Sequence, residues 1–139
     1  MNRMILAILI GSVVLFVLGV VLYVLLLGGF YEAHLGSATG VLREVPVGWA
    51  MVIAHLGSAS MLAFVLVQAG VSSPADGLRV GGAFGLLFGV AVAFDLYAVT
   101  NWSVLPVPFV EPVVTATRLA VASAAMGWVL GRTSDLASG

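Results

Sequence analysis

The stretch Phe94-Asp95-Leu96-Tyr97-Ala98-Val99-Thr100-Asn101-Trp102 sets a carboxylate in one of the most apolar parts of the chain. An ionisable side chain at membrane depth costs roughly 3 kcal/mol or more, and it normally faces a partner or a water-filled cavity. Asp95 is therefore the first candidate for chemistry. Arg118 has the opposite charge on the next apolar segment and is its natural counter-ion. A buried pair avoids the penalty of a lone charge without necessarily adding stability. His55 can join as a neutral donor and acceptor, and Tyr23 can donate its hydroxyl.

Four apolar segments position these groups, each near the roughly 20 residues that a spanning helix needs. The predicted helices run over about 4–30, 47–69, 78–102 and 113–131. The connection 31–46 is polar, 70–77 is a turn marked by Ser-Ser-Pro-Ala-Asp, and 103–112 holds Pro106, Pro108 and Pro112, so it is not expected to be helical throughout. Counted inward at 1.5 Å per residue, Tyr23, His55, Asp95 and Arg118 each fall roughly 7 to 12 Å below the same membrane boundary. Every helix then contributes one polar side chain to one layer. On the fourth helix, Glu111, Thr115, Arg118, Ala122 and Ala125 recur at helical spacing and share a face, so Glu111 can compete with Asp95 for the Arg118 guanidinium. On the third, Gly81, Gly85, Gly89 and Ala93 form a small-residue stripe suited to close helix packing.

Composition sets the class. Of 139 residues, 62% are hydrophobic and 8% charged, and mean hydropathy is +1.21; a soluble domain is only about half apolar. The expected fold is all-α, a polytopic membrane protein built as an antiparallel four-helix bundle, with residues 1–139 as a single membrane domain. The apolar run after Arg3 is too long for a signal peptide and lacks a small-x-small cleavage site, so it reads as a retained helix. With four spans both termini lie on one side. Arg3, Arg79 and Arg132 fall there and Arg43 opposite, which favours cytoplasmic termini in the cell (inner) membrane.

Several functions find no support. A net charge of -1 with no lysine provides no electrostatic footprint for nucleic acid. The chain has no cysteine and hence no thiol redox or thiolate metal chemistry. His34 lies in a loop away from His55, so neither a metal site nor a bis-histidine haem is supported, and no cofactor is expected. No nucleotide loop or Ser-His-Asp spacing marks an enzyme. Tyr31, Trp49, Trp102 and Trp128 read as interface aromatics. Thr100 and Asn101 read as a cap on the third helix.

The run Gly85-Leu-Leu-Phe-Gly89, followed by Phe94-Asp95-Leu96 and Thr100-Asn101-Trp102, resembles a family of small bacterial four-helix membrane proteins known only as domains of unknown function, in which a glycine-containing helix leads into a compact Tyr-Asp-Leu-Thr-Asn motif. Gly19 and Tyr23 look similar to the start of a related family. Here three residues separate Leu96 from Thr100, and a late Trp-Gly pair is reversed as Gly127-Trp128. The resemblance implies a fold and no activity, and it adds Thr100 and Asn101 to Asp95 as motif positions.

The expectation that follows is a protein that binds or transports a small polar or anionic molecule at the layer formed by Asp95, Arg118, His55, Tyr23, Asn101, Thr100 and Glu111. The alternative is an accessory or structural subunit, docked as a homo-oligomer or in a larger membrane complex through its Gly and Ala stripes. Besides a ligand, the partner expected throughout is the lipid bilayer.

Overall fold

The computed structural model describes residues 2–132, which are helical apart from their connections, with no strand among them. α1 (Arg3–Gly19) starts where the Asn2 side chain accepts from the Met4 amide at 3.2 Å. It runs on through a wider π-helical stretch, Val20–Leu26, so that the two form one apolar span of 24 residues. The chain breaks at Leu27, ahead of Gly28 and Gly29, and a short α2 (Gly28–Ala33) follows. The remaining spans are α3 (Gly48–Gln68), α4 (Pro74–Val99) and α5 (Val107–Gly131). At 1.5 Å per residue these helices are about 31 to 39 Å long, enough for a hydrocarbon core of about 30 Å. Four such helices, with broad exposed faces of Leu, Val, Ile and Phe, make this a multi-pass membrane protein.

Four helix ends differ from the sequence expectation, the first being the span of α1, which stops at Leu26 instead of about residue 30. α4 begins earlier, at Pro74, because Ser73 caps it: its hydroxyl accepts from the Asp76 amide at 3.1 Å and donates to the Asp76 carboxylate at 2.7 Å. α4 then ends at Val99, where the Thr100 amide and hydroxyl both donate to the Leu96 carbonyl, at 3.0 and 2.6 Å. The largest difference is at α5, which begins at Val107 and carries two of the three prolines. Pro108 lies in the first turn, where an amide proton has no helical acceptor to find. Pro112 does forfeit one helical hydrogen bond, but it is buried against Gly89 of α4, and close packing holds the helix together there. Glu111, which lies ahead of the expected helix start at about residue 113, thereby sits within the membrane-spanning helix.

α5 is the centre of the bundle and has two packed faces. One lies along α4, antiparallel to it. A Cβ at Gly85 would sit 2.9 Å from the Ala116 Cα and one at Gly89 2.7 Å from the Pro112 Cα, while at Gly77 and Gly81 it would collide with Ser123. The stripe foreseen on the third helix therefore packs inside the chain. The other face meets α1, also antiparallel, with Gly11 against Met126 and Gly19 against Arg118. α3 joins by its contact with α1: Ser12 Oγ lies 3.4 Å from the His55 carbonyl, and Phe16 meets the His55 ring edge-on at 5.5 Å. α3 and α4 barely touch.

At the end of the bundle away from the termini, two loops form a short ribbon. The Gly36 amide donates to the Trp102 carbonyl at 2.7 Å, Ala38 to Asn101 at 3.1 Å, and Val104 to His34 at 3.1 Å. A side chain at Gly36 would run into the Asn101 carbonyl. Asn101 thus serves the ribbon through its backbone.

Candidate functional site

Several polar groups of the spans, among them Tyr23, His55, Glu111 and Arg118, gather between α1, α3 and α5. Glu111 projects from the first turns of α5 and accepts from two phenols: Tyr23 on one carboxylate oxygen and Tyr31, at 2.5 Å, on the other. Tyr23 belongs to the π stretch, whereas Tyr31 sits on α2. The break at Leu27 is what lets a second tyrosine, eight residues later, reach the same carboxylate. The two rings are 5.3 Å apart. Thr115 Oγ1 adds a longer contact of 3.4 Å to Glu111. Tyr31 lies outside the spans, and burial, followed by the Glu111 hydrogen bond and the Glu111 charge, pushes its hydroxyl well above the ordinary tyrosine range.

Arg118 is two turns further along α5 on the same face, and its side chain leans towards Glu111 as helix geometry directs. Its guanidinium carbon is 5.2 Å from the centre of the Tyr23 ring, and one Nη donates to the Leu15 carbonyl at 3.1 Å. The buried Nε has no hydrogen-bond partner. No carboxylate lies within ion-pair distance: among the described residues the only ion pair is Asp76 with Arg79, at 3.9 Å. Gly19 makes room for this arrangement, since a Cβ there would be 3.2 Å from Arg118 Nη2 and 3.9 Å from His55 Nε2. His55 is oriented by its own helix. Its Nδ1 is 2.7 Å from the Met51 carbonyl, which can only accept, so Nδ1 carries a proton and Nε2 is the nitrogen turned towards the gap.

Two pockets meet at this cluster. One, of about 360 Å³, lies between α3 and α4 and is floored by α1 and α5; every residue lining it belongs to a spanning helix. The second, of about 490 Å³, lies under the loop ribbon and is lined by Tyr31, His34, Leu35, Leu42, Trp102 and their neighbours. Tyr23, Val92, Glu111 and Arg118 line both. Both volumes are within the range of about 300 to 1,000 Å³ typical of small-molecule sites.

The sequence-derived layer is thus met in part. Tyr23, His55, Glu111 and Arg118 are brought together, and Thr100 lines the second pocket while capping α4. Asp95 is not brought to them. It is exposed, lines neither pocket and forms no ion pair with Arg118. The reason lies in α4 itself. Ala93 is buried on the seam with α5, and two residues along a helix turn the side chain by about 200°. Asp95 therefore looks away from the helix that bears Arg118. It is also only four residues from the end of α4, about 6 Å, close to interfacial water.

Tyr31 was expected at the interface, and the structure puts its hydroxyl on Glu111 instead. The signal for it was the Gly28-Gly29 break, which ends one helix and allows the next segment to fold back. His34 lines the second pocket but does not join His55, and among the described residues no group of three His, Asp or Glu side chains could hold a metal. No protein-family model, curated protein or solved structure matches this chain.

Proposed function

We propose that this multi-pass protein resides in the cell's inner membrane with both termini in the cytoplasm, and that it binds or transports a small anionic molecule held by Arg118. One observation carries the reading: a cation at membrane depth with no carboxylate partner, its Nε buried and unpaired, in the wall shared by two pockets. A buried charge without an ion-pair partner is strongly unfavourable, and an anion accepting from the guanidinium would relieve it. Arginine suits the task because its planar fork meets a carboxylate or phosphate with two parallel hydrogen bonds. Glu111 is occupied by its tyrosines and is held off the guanidinium, which keeps the charge available. His55 Nε2, beside the same gap, can accept a hydrogen bond from a ligand O–H or N–H. Arg3, Arg79 and Arg132 at the terminal end, against Arg43 at the other, support the orientation. The α4 glycine stripe, one of the small-residue faces named for the accessory-subunit alternative, is packed against α5 within the chain.

The test uses full-length protein in phosphatidylcholine nanodiscs titrated with methylphosphonate, whose phosphorus NMR line broadens on binding. Arg118→Gln is expected to weaken binding by roughly tenfold or more, with Arg118→Lys intermediate and Asp95→Asn unchanged. Broadening that is indifferent to Arg118→Gln would remove the proposal.

A further inference from the structure

The pocket between α3 and α4 differs from an ordinary water-facing site in where it opens. Its lips are Ala54 and Met61 on α3 and Phe88 and Val92 on α4, all exposed, and all within the spans. α3 and α4 barely touch, so nothing closes the gap between them. Behind the lips the walls are apolar, with Leu15 and Leu119, and the polar lining includes Arg118, His55, Tyr23 and Glu111, whose carboxylate is taken up by the tyrosine hydroxyls. A solute confined to water has no route through such a mouth. A molecule already dissolved in the bilayer does.

We propose, resting on the anion site at Arg118, that the natural occupant is an anionic lipid that enters sideways from the membrane. Its phosphate or carboxylate head lies on the Arg118 guanidinium and one acyl chain lies in the cleft between α3 and α4. Charge and polarity both match: a cation without a counter-ion terminates an apolar slot whose entrance faces hydrocarbon. The arrangement also fixes the sense of binding. The head reaches the wall that separates the two pockets, and the loop-end pocket gives that head access to the polar side of the membrane.

The experiment compares phosphatidic acid and phosphatidylcholine, each carrying a nitroxide on its acyl chain, in nanodiscs of unlabelled phosphatidylcholine containing the full-length protein. Electron paramagnetic resonance reads the motionally restricted fraction, and methylphosphonate binding is measured on the same samples. The expected result is a restricted phosphatidic acid fraction well above that of phosphatidylcholine, lost in Arg118→Gln. Ala54→Trp and Met61→Trp, which fill the lips, also abolish the excess but keep the methylphosphonate signal, which shows that the fold and the anion site are intact. Methylphosphonate binding without any phosphatidic acid excess would overturn the lipid inference and leave the anion site standing. Loss of dependence on Arg118 for both probes would overturn both. An excess that survives Arg118→Gln is ordinary boundary lipid, and one that survives both tryptophans places the lipid elsewhere; either ends the proposal. A cleft filled by a helix of a second copy would appear as dimeric particles with no excess, and it too would overturn it.

Discussion

The two packed faces of α5 are a few ångströms apart and follow opposite rules. Towards α4 the face is made of small residues and backbone and leaves no room for a methyl group at Gly77, Gly81, Gly85 or Gly89; the Ser123 hydroxyl there is fully buried without a partner. Towards α1 and α3 the same helix carries Glu111 and Arg118, and two pockets reach them. The first face derives its strength from close approach, because lipid tails are as apolar as the side chains and give helices little hydrophobic reason to associate. The second leaves cavities beside its charged and polar groups. One face fixes the fold so that the other can stay incompletely satisfied.

Substitutions can break this contrast. The largest effect is expected at the seam with α4: Gly85→Leu forces a side chain into the α5 backbone and should cost about 3 kcal/mol or more, read as a lower melting temperature in detergent. Glu111→Ala orphans two tyrosine hydroxyls and should cost about 2 to 3 kcal/mol in the same assay. Arg118→Met should do the reverse of the seam variant. It removes a buried charge, so stability is held within about 1 kcal/mol or rises, while methylphosphonate binding falls by roughly tenfold or more. A large loss of stability there would mean that Arg118 is a structural clamp and that the two faces are alike.

Smaller effects sharpen the comparison. Tyr31→Phe removes one donor at a half-exposed position and should cost about 1 kcal/mol. Its pH dependence has a definite sign. The folded chain holds the Tyr31 proton more tightly than the unfolded chain does, so the contribution is complete below about pH 10 and fades as pH rises above it. Alkaline melting of Tyr31→Phe should therefore lack that decline. Asp95→Asn should change stability by less than about 0.5 kcal/mol and leave binding alone, since its carboxylate is exposed near a helix end.

Much of this was legible from residue types. The number of spans follows from apolar length, and the shared face of Glu111, Thr115 and Arg118 follows from helical spacing. Which neighbour each face meets does not. Periodicity places Asp95 opposite Ala93, yet only the packing of the glycine stripe on α5 decides that Asp95 is turned away from Arg118. Tyr31 was obscured differently, because a tyrosine near a span end is usually an anchor and its role here depends on the break at Leu27. Prolines hid the start of α5: their helix-breaking tendency is real in water, but Pro108 needs no acceptor and Pro112 is held by Gly89.

The loop ribbon has a consequence for how this protein can change over generations. It is tied by main-chain groups, so apart from Gly36 it makes few demands on sequence. Leu35, Leu42 and Trp102, which roof the loop-end pocket, can be exchanged without loosening the tie. The side chains that roof that pocket are therefore free to vary in size, while the main-chain tie and the close approach at Gly36 hold the roof in place.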